Sequence, residues 1–504
     1  MMKRISVLAV AGLMALPALA LAGGSRADLE RKIDELERQL QELKTQVSKQ
    51  NQAISEQKQA IGEYSGKVEK MDTALEQKSE AWENFTSRFQ FDGDFRARGD
   101  YYKADTLFGS DEKNDTLLTN RLRLNMRAAA TENVEFKGRL AMYKVWGMQS
   151  TPDGLGGGFP IFDGNTTRTP SDSALYVDRA FVNWNNIGGA PVWFSIGRRP
   201  TTDGPPAQLR MNYSDERLAT PVAYMDYPFD GLSLGYAYDW GNDVLGNGRI
   251  RFCYGRGFES GLQSDNNPLW NNDTDFAGFS WDVFQQGSRF LNIQVFGAFN
   301  LFNYPAFSSD LVRYGAPSVY GNQVNVGNIY HTSGVYMAKF SNLNYFIAGG
   351  WSRTDPNGHG MFNDYASATP INTDPENGYS VYAGIRYDMD NIGLKAGAEY
   401  NYGSQYWVSF SPGHDDIYMS KLATRGSVYE LYLLYDLPTG EAISQYAKTF
   451  IRLGWQHYEY NYSGYFDWNM KPYDLDSERA QLQMLGQNPV TSANQVYLTF
   501  EVHF

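Results

Sequence analysis

From Phe85 onward, apolar and polar residues alternate one for one, in segment after segment. A strand turns successive side chains to opposite faces, so each such segment offers one apolar face and one polar face. Asn494 to Phe504 shows the pattern plainly. Val496, Leu498, Phe500, Val502 and Phe504 share one parity; Gln495, Tyr497, Thr499, Glu501 and His503 share the other. Its length suits one tilted strand crossing of a bilayer, about 9–11 residues. A half-buried strand of a soluble sandwich would alternate in the same way, so the other segments must decide.

Sixteen candidate strands follow one another between residues 86 and 504. The connections between them alternate between short and long. Short ones include Thr131-Glu132-Asn133, Asn186 to Gly189, Gln286-Gly287, Ser341-Asn342 and Asp390-Asn391; long ones are rich in Asp, Asn, Gly and Pro. A soluble sandwich has no reason to keep every second loop long. A transmembrane barrel does, with short periplasmic turns, long outer loops and an even strand number. Residues 85–504 are therefore expected to form an all-β transmembrane antiparallel barrel of about 16 strands, with both ends on the periplasmic side.

The bulk properties agree. Mean hydropathy is −0.49, and no 18-residue apolar run occurs after the first two dozen residues. That excludes a bundle of membrane helices but not a barrel, whose strands hide their apolar residues by alternation. Aromatics at 15% and 49 glycines favour strands over helices. The formal charge of −13 argues against nucleic acid as a partner. Cys253 is the single cysteine, so an internal disulfide is excluded, and no Cys-x-x-Cys-His haem attachment motif occurs. No cofactor and no metal site is expected.

The N-terminal part differs. Lys3 and Arg4, the apolar run Ile5 to Leu21 and the small-x-small site Ala20-Leu21-Ala22 read as a signal peptide over residues 1–22. Residues 23–80 read as a periplasmic coiled coil. Apolar residues recur at four-three spacing through Leu29, Ile33, Leu36, Leu40, Leu43 and Val47 to Ile54, Ile61, Val68 and Leu75. A continuous seam of this kind predicts self-association. Gln50 and Gln57 at d positions weaken the preference for a dimer, and Gly62 and Gly66 each cost about 1 kcal/mol in a helix.

Charged residues on the barrel segments share the parity opposite to the apolar ones. Arg or Lys facing lipid at mid-membrane costs about 2–4 kcal/mol, so the charged parity is expected inside. The predicted pore-lining cations are Arg88, Arg96, Arg98, Arg121, Arg123, Arg127, Lys137, Arg139, Arg249, Arg251, Lys448 and Arg452. A barrel this wide is expected to hold water in its lumen, and an arginine-rich wall would favour anions. The opposing reading pairs each arginine with an inward acid such as Asp92, Asp94 or Glu135. The loop after the fifth strand is the candidate constriction, with Arg198, Arg199, Asp203, Asp215, Glu216 and Arg217, and a helical turn over Ala207 to Asn212. Gly154 to Gly158 is the competing loop.

The order signal peptide, heptad helix, alternating barrel and terminal Phe504 resembles bacterial outer-membrane porins, in particular porin-like groups that carry a periplasmic coiled coil. Leu175 to Trp184, the turn after it and Phe194-Ser195-Ile196-Gly197-Arg198-Arg199 look like a strand pair ending in Gly-Arg found in many porins. The resemblance implies location in the outer membrane of a Gram-negative bacterium and passive diffusion of small hydrophilic solutes. It further implies a trimer, lipid and lipopolysaccharide around the wall, and Val502 and Phe504 as the C-terminal signal read by the barrel-insertion machinery.

Other classes fit less well. The five histidines, His331, His359, His414, His457 and His503, stand in no nucleophile pattern, and Gly-x-Ser-x-Gly is absent, so an enzyme is not expected. A sheath around a cytochrome and a tether from the outer membrane to the cell wall are the alternatives. The acidic run Asn271 to Asp275 could hold calcium or simply be solvated.

Overall fold

The computed structural model describes residues 26–147, 170, 172–199, 204–213, 221, 224–227, 229–260, 272–303, 324–411, 415–416, 420–464 and 467–504. The chain divides into two compact units, Met1–Phe85 and Thr86–Phe504. The predicted signal peptide lies outside the described residues.

The heptad segment is one helix, α1, Arg26–Arg88. Its seam residues Leu29, Ile33, Leu36, Leu40 and Leu43 are exposed in the single chain. The helix runs on past residue 80, and Arg88 is its last residue. Arg88 is exposed and donates to the Ala129 carbonyl at 3.4 Å, so its predicted place on the wall is corrected: strand pairing starts only at Phe89.

Among the described residues of the second unit, sixteen strands close into an antiparallel barrel in sequence order. They are β1 (Phe89–Thr106), β2 (Asp111–Ala129), β3 (Val134–Val145), β4 (Tyr176–Trp184), β5 (Val192–Arg199), β6 (Phe229–Asp239), β7 (Asn247–Phe258) and β8 (Thr274–Gln286), then β9 (Arg289–Phe302), β10 (Asn325–Phe340), β11 (Leu343–Pro356), β12 (Asn377–Met389), β13 (Leu394–Gly403), β14 (Gly426–Asp436), β15 (Lys448–Tyr460) and β16 (Val490–His503). The barrel shuts where β16 pairs with β1, from Asp94↔His503 to Thr106↔Val490. Phe504 completes the seam by exchanging backbone hydrogen bonds with Gly93 at 2.9 and 3.0 Å. A Cβ on Gly93 would stand 2.7 Å from the Arg123 carbonyl and 2.9 Å from the Phe504 ring, so the closure needs a glycine there.

The faces are inside-out relative to a soluble protein. Along β12, Val381 and Ile385 are exposed between Tyr379 and Tyr387; along β14, Leu431 and Leu433 are exposed between Tyr429 and Tyr435. An apolar band bounded by aromatic girdles is what a bilayer demands of a barrel's outer surface. On the opposite parity Arg121, Glu399, Glu430, Arg452 and Glu501 are buried. One expectation about loops fails. The first two strands are expected at 86–98 and 117–130 with a long loop between them, but β1 runs to Thr106 and β2 starts at Asp111, so only residues 107–110 join them. Ladder hydrogen bonds can continue into water past the bilayer, so polarity does not end a strand.

Candidate functional site

Inward residues meet segments that the chain folds into its own barrel. The helical turn expected after β5 is α2, Ala207–Met211, with every residue buried. It crosses the inner wall from Gln208, against Met337 of β10, to Tyr213, whose hydroxyl accepts from Arg123 of β2 at 2.8 Å. The wall holds it by its backbone: Arg386 donates to the Leu209 carbonyl at 2.7 Å, Arg452 to Arg210 at 3.1 Å and Lys448 to Asn212 at 2.8 Å. The C-terminal end of a short helix has free carbonyls, and these cations satisfy them.

A second inward segment, between β13 and β14, was not foreseen. Its Asp415 lies among the guanidiniums of Arg96 (2.6 Å), Arg452 (3.1 Å), Arg121 (3.6 Å) and Arg98 (3.7 Å). Burial would raise this carboxyl, but the four guanidiniums outweigh it and hold Asp415 well below the usual carboxylate range. Asp416 and Glu430 share Arg210 at 3.1 and 3.2 Å. Lys421 bridges Glu430 at 2.6 Å and Glu399, and Tyr497 donates to Glu430 at 2.6 Å. A continuous ionic network thus lines the wall from β13 through β16 to β2. The only sequence signal for it was the isolated Asp415-Asp416 pair in a long loop.

A third set is apolar. Trp407 and Phe410 from the loop after β13, Tyr224 and Met225 before β6, and Trp468 after β15 are buried inside, against Phe276, Phe296 and His331 of the wall. Trp407 donates to the Leu422 carbonyl at 2.8 Å. A Cβ on Gly350 of β11 would stand 2.5 Å from the Trp407 ring. A sixteen-strand wall is too wide for its own side chains to fill, and inward loops bring apolar clusters into part of its interior.

The predicted cations divide into two groups. On β1 and β2 they are paired, as the opposing reading had it: Arg121 with Asp94 (2.8 Å) and Glu501 (3.1 Å), Arg123 with Asp94 (2.8 Å) and Arg98 with Asp100 (2.8 Å). Arg127 and Lys137 share Glu135 at 2.6 and 2.9 Å, and Arg139 pairs with Asp178. Asp92 accepts from Asn125 rather than from an arginine. Along β5–β8 the balance is different. Arg249 pairs with Asp282, Arg251 reaches the same carboxylate only at 3.8 Å, and Arg199 donates to the Ser195 hydroxyl at 3.0 Å. Arg198 points to Asp230 at 3.3 Å. Asp203, Asp215, Glu216, Arg217 and the loop Gly154 to Gly158 lie outside the described residues. In the acidic run, Asp273 and Asp275 are bound by Arg256.

Two cavities adjoin these segments. One of about 230 Å³ lies between α2 and β9–β12, bordered by Gln208, Tyr213, Phe290, Lys339 and Arg386. Another of about 80 Å³ lies against β7–β9 beside Arg199 and Cys253.

A closed antiparallel barrel with an apolar girdled exterior and an ionic interior is a transmembrane β-barrel of the outer-membrane type. By its match over residues 111–504, the chain belongs to the family described as Protein of unknown function (DUF3373). No curated protein matches it. Among solved structures it is similar to an anion-selective porin from Comamonas acidovorans (10% identity, 82% of this chain and 99% of that one, TM-score 0.44). It is also similar to OprB of Pseudomonas putida (12%, 84% and 96%, 0.43) and to a loop-deletion mutant of OmpT, an outer membrane protein of Vibrio cholerae (10%, 82% and 99%, 0.40). At such identities the likeness concerns the fold alone.

Proposed function

We infer that this protein is an outer-membrane channel for small hydrophilic solutes, narrowed by its own inward segments, and not an enzyme. The observation that carries this reading is the inner wall: ionisable side chains from neighbouring strands face a shared interior, where lipid cannot reach. Inward α2 and the Asp415 segment restrict that interior, so the channel discriminates rather than passing every solute below a size limit. Arg249 and Arg251 sharing Asp282, with Arg199 on the Ser195 hydroxyl, support an anion preference, in place of the paired cations of β1–β3. The inward segments speak for a channel over a sheath, because an enclosed cytochrome would need the space taken by Trp407, Phe410 and α2. Single-channel recording in a planar bilayer with a salt gradient tests it. Small steps with an anion-selective reversal potential are expected; folded protein that inserts and carries no current refutes the channel.

The exposed seam of α1 supports a second role, self-association through a parallel coiled coil on the periplasmic side, compatible with a trimer. A lone helix would leave that apolar stripe wet. Anchorage to the cell wall would be compatible with the same stalk.

A further inference from the structure

The inner wall over β5–β8 is built from unusually small side chains. Ser195, Ser233, Cys253 and Gly278 stand in one cross-strand row. Beside that row lies the cavity of about 80 Å³, walled by Met225, Phe229, Phe276 and Phe296, with Arg199 and Ser280 at its polar side. This volume equals about two to three waters. It admits a short alkyl chain and excludes a sugar ring.

The charges beside it are unequal. Arg249 and Arg251 reach Asp282, Arg199 borders the cavity, and Arg251 adjoins it through Ser280; Asp226 is carried on the same inward segment as Met225. Arg251 is 6% exposed and donates to the Ser280 hydroxyl at 3.2 Å, yet its Nε has no acceptor among the described residues. A buried guanidinium donor without an acceptor is destabilising. A planar anion relieves that cost, since carboxylates accept from arginine forks in two parallel bonds.

We propose that the β5–β9 wall holds a binding subsite for a short-chain monocarboxylate, its carboxylate on Arg199 and Arg251 and its alkyl tail between Phe229, Phe276 and Phe296. The subsite gives the channel reading its solute class and rests on that reading for its role in passage. Apolar walls alone would not separate an acid from an alcohol, and arginines alone would not separate butyrate from nitrate. The two together select an anion with a tail.

Calorimetric titration of the full chain, folded in detergent, tests this with butyrate, butanol, nitrate and glucose. Saturable butyrate binding is expected, at least tenfold tighter than nitrate or butanol, with no glucose signal. Arg199→Gln should weaken butyrate at least tenfold, whereas Arg353→Gln, on the outer face, should not. Cys253→Leu, which fills the cavity, should bring butyrate down to the nitrate level. Equal binding of nitrate and butyrate, no binding, or an unchanged R199Q variant would each overturn the subsite. Bilayer recording of the same preparations separates the two claims. Current without butyrate binding leaves the channel and removes the subsite; butyrate binding without current supports the subsite and removes the channel.

Discussion

Single side chains in the interior act by pairing. Asp415 compensates four arginines at once, and removing one member of a buried ionic set leaves uncompensated charge, which costs about 3–5 kcal/mol. Asp415→Asn should therefore lower the temperature at which the heat-modified gel shift appears; an unchanged transition would show that water already solvates those arginines. Asp467, in the loop after β15, behaves in the opposite sense. Burial raises its carboxyl to about 6, above the ordinary value of 3.8, despite the nearby Arg425. The folded chain then binds a proton there that the unfolded chain releases between about pH 4 and pH 6. This group's contribution favours folding below that window and is lost as pH rises through it. Thermal unfolding from pH 4 to pH 7 should fall less steeply in Asp467→Asn than in the wild type, and parallel slopes would refute the assignment.

At the scale of elements, the strands are held by what each face touches. Leu433 of β14 is exposed between girdle tyrosines. Leu433→Arg should cost about 2–4 kcal/mol in lipid, read as a lower urea midpoint after folding into vesicles; an unshifted midpoint would place that face away from hydrocarbon. The β1–β16 seam depends on close approach. Gly93→Val would put side-chain atoms where the Arg123 carbonyl and Phe504 ring now stand. Folding into vesicles should slow or fail for this variant, while the same change at Gly358, where a Cβ meets open space, should leave the closure rate intact.

For the molecule as a whole, the proposed roles of α1 and the barrel can be tested separately. Deleting residues 26–79 should abolish chemical crosslinking between chains through the seam and leave single-channel step size unchanged. A step that changes with the deletion would tie the helix to the pore. The chain thus combines a wall that faces lipid with loops packed into its interior, and the proposed solute discrimination rests on how far those loops narrow it.

The alternation of residues alone determined the wall. Which parity meets lipid and the strand number were legible, because period two is local and a misplaced charge is expensive; the helical turn over Ala207 to Asn212 was legible as well. The interior was not. Nothing in the spacing of Asp415 or Arg210 relates them to strands more than two hundred residues away; loop segments have no periodicity to say which way they fold. Only closure of the barrel brings those distant groups within reach, and only then does it emerge that the arginines of β1 and β2 are closely paired while Arg251 of β7 reaches Asp282 only at 3.8 Å.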